Sequence, residues 1–236
     1  MCAGKLIGIG TLVLLLGGVA DAQQPSSNIG WTAETLRVIE SGDPRRGQEI
    51  ARDCASCHGP TGVAPTRNFP SLAGQPPAYT YKQLRDYQDG TREHAIMSAL
   101  AETLSEQDIV DVGAWYAAQD IAAPPPSTGG LRLPFVSAAR AQETVPEDVW
   151  RLVRFGDSQR HIAPCMVCHG TRGEGNSIGI PALAGQTDAY LRQTLLQYKN
   201  DVRTNDTFAR MRLIAKELSD EEIAGLAEYY AELPSR

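Results

Sequence analysis

Apolar positions recur at helical spacing near the end of each half of the chain. Ile109, Val112 and Tyr116 form one stripe, and Ile223, Leu226 and Tyr230 form another. Each stripe follows a hydroxyl residue with an acid three positions on, Ser105 with Asp108 and Ser219 with Glu222, which marks a helix N-terminus. Pro124 and Pro234 follow the expected helix ends. A middle helix is predicted from near Pro77 to around Gly90, and its counterpart from near Thr187 to around Asn200. Earlier helices are predicted from about Arg45 and from somewhere after Pro146. Strand periodicity is weak throughout, so the pattern predicts an all-α protein.

These matched elements belong to an internal duplication. At an offset of 111, Cys54 aligns with Cys165, and Phe69-Pro70-Ser71-Leu72-Ala73-Gly74-Gln75 with Ile180-Pro181-Ala182-Leu183-Ala184-Gly185-Gln186. The same offset pairs Tyr79 with Tyr190, Leu84 with Leu195, Tyr87 with Tyr198 and Arg92 with Arg203. It then becomes 114, pairing Met97 with Met211, Ile109 with Ile223 and Tyr116 with Tyr230, so three residues are inserted ahead of Met211. Between the copies, Pro124-Pro125-Pro126 and Gly129-Gly130 read as a linker. Its Leu131 to Val136 stretch is apolar enough to pack against one domain. The expected boundaries are a leader at 1–22, domains at 23–123 and 146–236, and a linker at 124–145.

The leader reads as a signal peptide. Lys5 precedes an apolar run from Leu6 to Ala20, and Ala20-Asp21-Ala22 fits small-x-small cleavage. A retained anchor is the alternative, but the run is shorter than the roughly 20 residues that span a bilayer. Without the leader the chain keeps a net charge of −6 and has no basic run, which disfavours nucleic-acid binding. The export signal predicts a periplasmic protein with at most peripheral membrane association.

Four of the five cysteines lie in two pentapeptides, Cys54-Ala55-Ser56-Cys57-His58 and Cys165-Met166-Val167-Cys168-His169. Cys-x-x-Cys-His is the attachment pattern of a c-type haem. Two thiols one short turn apart can each add to a porphyrin vinyl group, and the histidine that follows can ligate the iron. Cys54, Cys57, Cys165 and Cys168 are therefore the candidate attachment residues for two covalently bound haem c groups. His58 and His169 are the candidate proximal ligands. A zinc module is the competing reading, but its paired Cys-x-x-Cys units normally stand roughly 15–20 residues apart.

A sixth ligand must come from elsewhere. Met1 leaves with the leader and Met166 lies inside the attachment loop. Met97 and Met211 remain, at equivalent places 39 and 42 residues after the histidines. Core packing is the alternative for a methionine near a helix. His94, three residues before Met97, competes for the first iron but has no histidine counterpart in the second copy. His161, four residues before Cys165, reads as a surface or propionate contact on the same helical face. Histidine–methionine coordination raises the potential and leaves no open iron position, which favours a carrier over a catalyst.

With Cys-x-x-Cys-His-Gly at 54–59 and 165–170, Pro-x-Leu-Ala-Gly-Gln at 70–75 and 181–186, Tyr87 to Arg92, Tyr198 to Arg203 and the two methionines, the chain resembles the dihaem cytochrome c4 family. The resemblance covers nearly all of the chain after the leader, excluding the linker. It implies two tandem class I cytochrome c domains, with two histidine–methionine haems facing each other across the domain interface. It also implies that the carbonyls of Pro70 and Pro181 accept the Nδ1 protons of His58 and His169. By the same analogy Arg92 and Arg203 lie near propionates; solvated surface arginines are the alternative. The linker is longer than the family usually has. Gly42 stands twelve residues before Cys54 but Gly156 only nine before Cys165, and Asp201-Val202 replaces Gly90-Thr91.

The expected role is transfer of electrons between respiratory-chain donors and a terminal oxidase or reductase. Alternatives are an electron-accepting subunit of a periplasmic dehydrogenase, and a dihaem peroxidase or thiosulfate-oxidising enzyme with an exchangeable iron ligand. Residues 23–123 carry −5 and 146–236 carry −2, so a partner with a basic patch would favour the first domain, unless the charge serves only solubility.

Overall fold

A computed structural model describes residues 26–120 and 146–234. The predicted leader and linker, including Leu131 to Val136, lie outside the described residues. In the first domain the elements are α1 (Ala33–Glu40), α2 (Pro44–His58), α3 (Pro77–Gln88), α4 (Ala95–Glu102) and α5 (Glu106–Ala117). The second contains α6 (Glu147–Phe155), α7 (Cys165–His169), α8 (Asp188–Lys199), α9 (Arg210–Glu217) and α10 (Asp220–Glu232). No strand occurs among the described residues; a single antiparallel bridge joins Asp157 and Ile162.

The last helix of each domain begins as its sequence dictates. Ser105 and Asp108 form a reciprocal capping box on α5, and Ser219 and Glu222 form one on α10. The stripes then bury Ile109, Val112 and Tyr116 in one core and Ile223, Leu226 and Tyr230 in the other. Full burial of such a side chain contributes about 2 kcal/mol. Middle helices α3 and α8 occupy the predicted ranges to within two residues and pack against α5 and α10.

The N-terminal helices cross the C-terminal ones in both domains but solve the crossing in opposite ways. In the first, Gly47 of α2 lies so close to α5 that a Cβ would stand 2.0 Å from the Asp111 carbonyl oxygen. In the second, the glycine sits on the other partner, and a Cβ on Gly225 of α10 would lie 2.6 Å from Val149 Cγ2 of α6.

The helix predicted after Pro146 does not reach the second pentapeptide. α2 runs unbroken into Cys54–His58, whereas α6 stops at Phe155 and α7 begins afresh at Cys165. Between them Asp157 and Ile162 exchange backbone hydrogen bonds of 2.8 Å, and Gly156 turns the chain at φ 66°. Arg160 fastens the loop by pairing with Asp157 at 2.7 Å and Glu222 at 2.8 Å. Residues 156–164 thus replace the helical turns that would join the crossing to the cysteines.

Candidate haem sites

Both pentapeptides end helices, and both histidines are buried, His58 at 6% exposure and His169 at 8%. His58 Nδ1 lies 2.8 Å from the Pro70 carbonyl oxygen and His169 Nδ1 lies 3.1 Å from that of Pro181. A carbonyl can only accept, so each Nδ1 carries the proton and each Nε2 keeps its lone pair. Burial lowers both imidazole pKa values, partly offset by the carbonyl, which keeps the rings neutral. A neutral imidazole with a free Nε2 is the form that binds a metal.

The accepting carbonyls are held by the same scaffold twice. Gly62 carbonyl accepts from Leu72 and Ala73 N–H at 2.6 and 3.1 Å, and Gly173 carbonyl accepts from Leu183 and Ala184 at 2.7 and 3.1 Å. The C-terminal helix adds a bond from Gly74 N–H to Tyr116 carbonyl at 2.8 Å, matched by Gly185 to Tyr230 at 2.9 Å. Gly62 has φ 83°, and a Cβ there would strike the Tyr116 ring at 2.6 Å. Only glycine satisfies both demands.

All four motif cysteines are free and partly buried. Burial raises the Cys54 thiol, and it lifts Cys165 to about 11. Neither is tuned as a thiolate nucleophile or a zinc ligand. Among the described residues, no group of three or more histidine, cysteine or acidic side chains is placed to hold an ion by itself. The Tyr116 and Tyr230 hydroxyls are buried without a hydrogen-bond partner, beside Cys54 and Cys165 respectively.

Met97 lies in α4 and Met211 in α9, both half-buried. His94 is the exposed N-cap of α4, and its Nδ1 accepts from Ile96 and Met97 N–H at 3.3 Å each. That nitrogen is engaged in holding the helix that carries Met97. His161 is exposed in the 156–164 loop at φ 57°, not on a helical face one turn before Cys165.

Neither Arg92, which is half-buried, nor Arg203, which is buried, is a free surface arginine. They meet in the domain interface, where Arg203 is 5% exposed. Arg92 donates to Gln83 Oε1 at 2.7 Å and to the Tyr190 hydroxyl at 3.2 Å. Arg203 donates to Gln83 Oε1 at 2.8 Å, Asn205 Oδ1 at 2.9 Å and the Tyr79 hydroxyl at 3.3 Å. Each guanidinium also covers a ring of its own domain, Tyr87 at 4.6 Å and Tyr198 at 4.8 Å. Their partners among the described residues are phenols and amides, with no carboxylate in a salt bridge to either. Burial alone would raise the Tyr190 phenol, but the two arginines overcome it and pull the pKa down to about 7. Buried Arg203 and half-buried Arg92, with phenol and amide partners, carry positive charge that an anion such as a haem propionate would balance.

One cluster at this interface escaped the sequence reading. Lys82 pairs with Asp86, and Asp86 Oδ2 also accepts from Asn205 of the second domain at 2.6 Å. In the second copy Gln193 and Gln197 replace Lys82 and Asp86, so the repeat gave no signal.

The chain is similar to known proteins over most of its length. The Cytochrome c family profile matches residues 158–234, and that of cytochrome C oxidase, cbb3-type, subunit III matches 42–115. Cytochrome c4 of Pseudomonas aeruginosa is 34% identical over 191 residues, covering 80% of this chain and 88% of that protein. A thiosulfate dehydrogenase electron acceptor of Stutzerimonas stutzeri is 35% identical over 182 residues, covering 77% of this chain and 79% of that protein. The crystal structure of reduced recombinant cytochrome c4 from Pseudomonas stutzeri superposes with a TM-score of 0.68 at 31% identity, covering 82% of this chain and 100% of that one. The two domains are cytochrome c domains, and the chain carries two covalently bound haem c groups. It belongs to the dihaem cytochrome c4 family of electron carriers.

Proposed function

We propose that the protein is a periplasmic electron relay whose haems are attached through Cys54 and Cys57 in residues 23–123, and through Cys165 and Cys168 in residues 146–236. His58 with Met97, and His169 with Met211, are the axial pairs. The observation that carries the assignment is the matched pair of buried imidazoles, each with Nδ1 on a proline carbonyl and Nε2 left free. When bound, each haem supplies reversible one-electron exchange at its iron. The chain's residues then set the conditions. Pro70 and Pro181 hold the imidazoles in one tautomer and strengthen them as donors. Arg92, Arg203, Tyr79 and Tyr190 hold the propionates within the interface.

The electrons come from respiratory-chain donors and go to a terminal oxidase or reductase. A second reading, that the donor is a periplasmic dehydrogenase, is favoured by the likeness to a thiosulfate dehydrogenase electron acceptor. The two readings differ in whether the protein purifies in a stable complex with its donor. A redox titration with the full visible spectrum tests the assignment. It should count two low-spin haems and show the weak sulfur-to-iron band in the ferric state. A bare polypeptide, or a high-spin spectrum, rejects it.

A further inference from the structure

Residues 26–31 open the first domain in the chain but do not stay within it. Ile29 and Trp31 pack with Val38 against the cluster of Ile39, Tyr81, Ile109 and Val110, so the approach to α1 is anchored in the first core. Ser27 Oγ donates to buried Asp86 Oδ1 at 2.6 Å, and Asn28 Nδ2 donates to Asp89 Oδ2 at 3.0 Å, which fixes the segment along the end of α3. Two further contacts cross to the second domain. A Cβ on Gly179 would stand 2.3 Å from Cζ2 of Trp31, so the indole lies directly on that backbone. Ser26 Oγ accepts the Phe208 N–H at 3.1 Å.

Both contacts fall on chain that leads into the ligands of the second haem. Gly179 belongs to a tight turn in which Asn176 Oδ1 accepts from Ile178 and Ile180 N–H at 3.0 and 3.3 Å, while Asn176 N–H donates to the Ile180 carbonyl at 3.0 Å. Its φ of 82° and the indole against it both demand glycine. Pro181, two residues on, supplies the carbonyl that accepts from His169 Nδ1. At the other end, Phe208 at φ 58° and Ala209 at φ 55° are successive left-handed residues with a Cβ, a costly turn that persists only where neighbours hold it. Met211 follows two residues later. The first haem's proximal turn is braced differently. Arg67, at the position of Ile178, donates through Nε to Asp188 Oδ1 of α8 at 2.7 Å. Asp188 corresponds to Pro77, so this pair cannot repeat on the other side. An ion pair braces one proximal turn from the opposite domain, and an indole braces the other.

We propose that residues 26–31, by sequence part of the first domain, are a strap that positions both axial ligands of the second haem. Trp31 acts through the turn ahead of Pro181, and Ser26 acts through the turn ahead of Met211. Both are positioning residues, and they tie the second haem's potential to the packing of the first core. Removing the indole opens the proximal turn to water, which favours the more charged ferric state and lowers that potential. This inference rests on the axial pairs proposed above.

The test uses the two-haem protein in wild type, Trp31→Ala, Trp31→Phe and Ser26→Ala, with Val38→Ala as a control that thins the same first-domain cluster. In a spectroelectrochemical titration the second haem is the one whose sulfur band is lost in Met211→Leu. Trp31→Ala should shift its reduction equilibrium about threefold towards ferric, about 28 mV at 59 mV per tenfold, and leave the first haem in place. Amide exchange read by mass spectrometry should quicken about tenfold in peptides covering 175–181, and not in the equivalent 64–70. Trp31→Phe should recover most of both effects. Ser26→Ala should quicken exchange at 206–211 alone. Val38→Ala should leave the second haem and the second-domain peptides as in the wild type. A shift confined to the first haem, unchanged exchange at 175–181 in Trp31→Ala, or equal effects from Val38→Ala overturn the proposal. If the wild type shows no sulfur band, the axial pairs fail and the strap's role fails with them; with the band present, the strap alone is at stake.

Discussion

Gln75 and Gln186, equivalent residues of the two copies, each grip the loop that carries the other. Gln75 Nε2 donates to Ala182 carbonyl at 2.8 Å while its Oε1 accepts from Ala182 N–H at 3.1 Å. Gln186 does the same to Ser71, accepting at 2.7 Å and donating at 2.8 Å. Ser71 and Ala182 are themselves equivalent and buried, so the interface has an approximate two-fold axis written into its hydrogen bonds. Each glutamine also stands just past the proline whose carbonyl holds the histidine. Domain contact and imidazole orientation are set by the same short loops.

Truncating either glutamine should therefore loosen the interface. Gln186→Ala leaves a buried N–H and a buried carbonyl without partners, at a cost of about 2–4 kcal/mol. Gln75→Ala should cost a similar amount because its bonds are the same in kind. Guanidinium unfolding followed by far-ultraviolet circular dichroism measures both. Small-angle scattering should report separated domains in the double variant. An unchanged midpoint in both single variants would show that the bonds do not hold the domains together.

Arg203 should tune the haems as a positive charge. Replacing it with methionine keeps much of the apolar stem over Tyr198 but removes the charge, which disfavours the reduced state. A loss of about 1.4 kcal/mol would lower a haem potential by about 59 mV. Arg203→Lys should recover part of that shift. Spectroelectrochemical titration reads it directly. Unshifted potentials in an Arg203→Met protein with both haems attached would place the propionates elsewhere.

Acid should weaken the first domain through Asp111. This carboxylate is buried and accepts from Asp43 N–H at 2.7 Å, Arg46 Nε at 2.7 Å and Gln107 at 2.9 Å. Burial opposes ionisation, but Arg46 and these hydrogen bonds outweigh it and lower the pKa below 3.8. A folded-state pKa below the unfolded value stabilises the protein above about pH 4, and that contribution is lost as the pH falls through the folded value. Arg46 is 56% exposed, so solvent screens part of the ion pair. Asp111→Asn should cost about 1–2 kcal/mol at pH 7 and much less at pH 3, by urea unfolding. Equal losses at both pH values would exclude the charge as the cause.

The duplication made much of this legible in the sequence. Haem attachment shows through the pentapeptides because two thiols and an imidazole need that spacing, and the last helices show through their capping boxes and stripes. The break between α6 and α7 does not show, because the residues around it favour either a turn or a helix until Gly225 lets Val149 close the crossing elsewhere. The enclosure of Arg92 and Arg203 at the interface is equally hidden. An arginine reads as a surface residue unless something neutralises or covers it, and here tyrosines of both domains enclose the pair, Tyr87 and Tyr198 by stacking within a domain and Tyr190 and Tyr79 by hydrogen bonds across the interface. Reciprocal bonding by Gln75 and Gln186 is half visible. Their repetition can be read, but not that each serves the opposite copy.

The methionines give the sharpest test of the proposed axial pairs. Met97 and Met211 lie on helices of unlike support. α4 is capped by exposed His94, while the turn before α9 is fixed by Asp206, which accepts from Arg212 N–H at 2.9 Å and Nε at 2.7 Å. Met97→Leu should therefore remove about half of the ferric sulfur-to-iron absorbance, and Met211→Leu the other half, if both thioethers bind iron. Each change should also lower the potential of one haem and leave the other within a few tens of millivolts, because the ligand sets differ in only one domain. In the wild type, gentle heating should remove the band in two steps. The first should be the one missing from Met97→Leu, since its helix lacks the buried Asp206–Arg212 pair. A Met97→Leu protein that keeps the full wild-type band, together with a His94→Ala protein that turns one haem high-spin, would reassign the first sixth ligand from sulfur to imidazole.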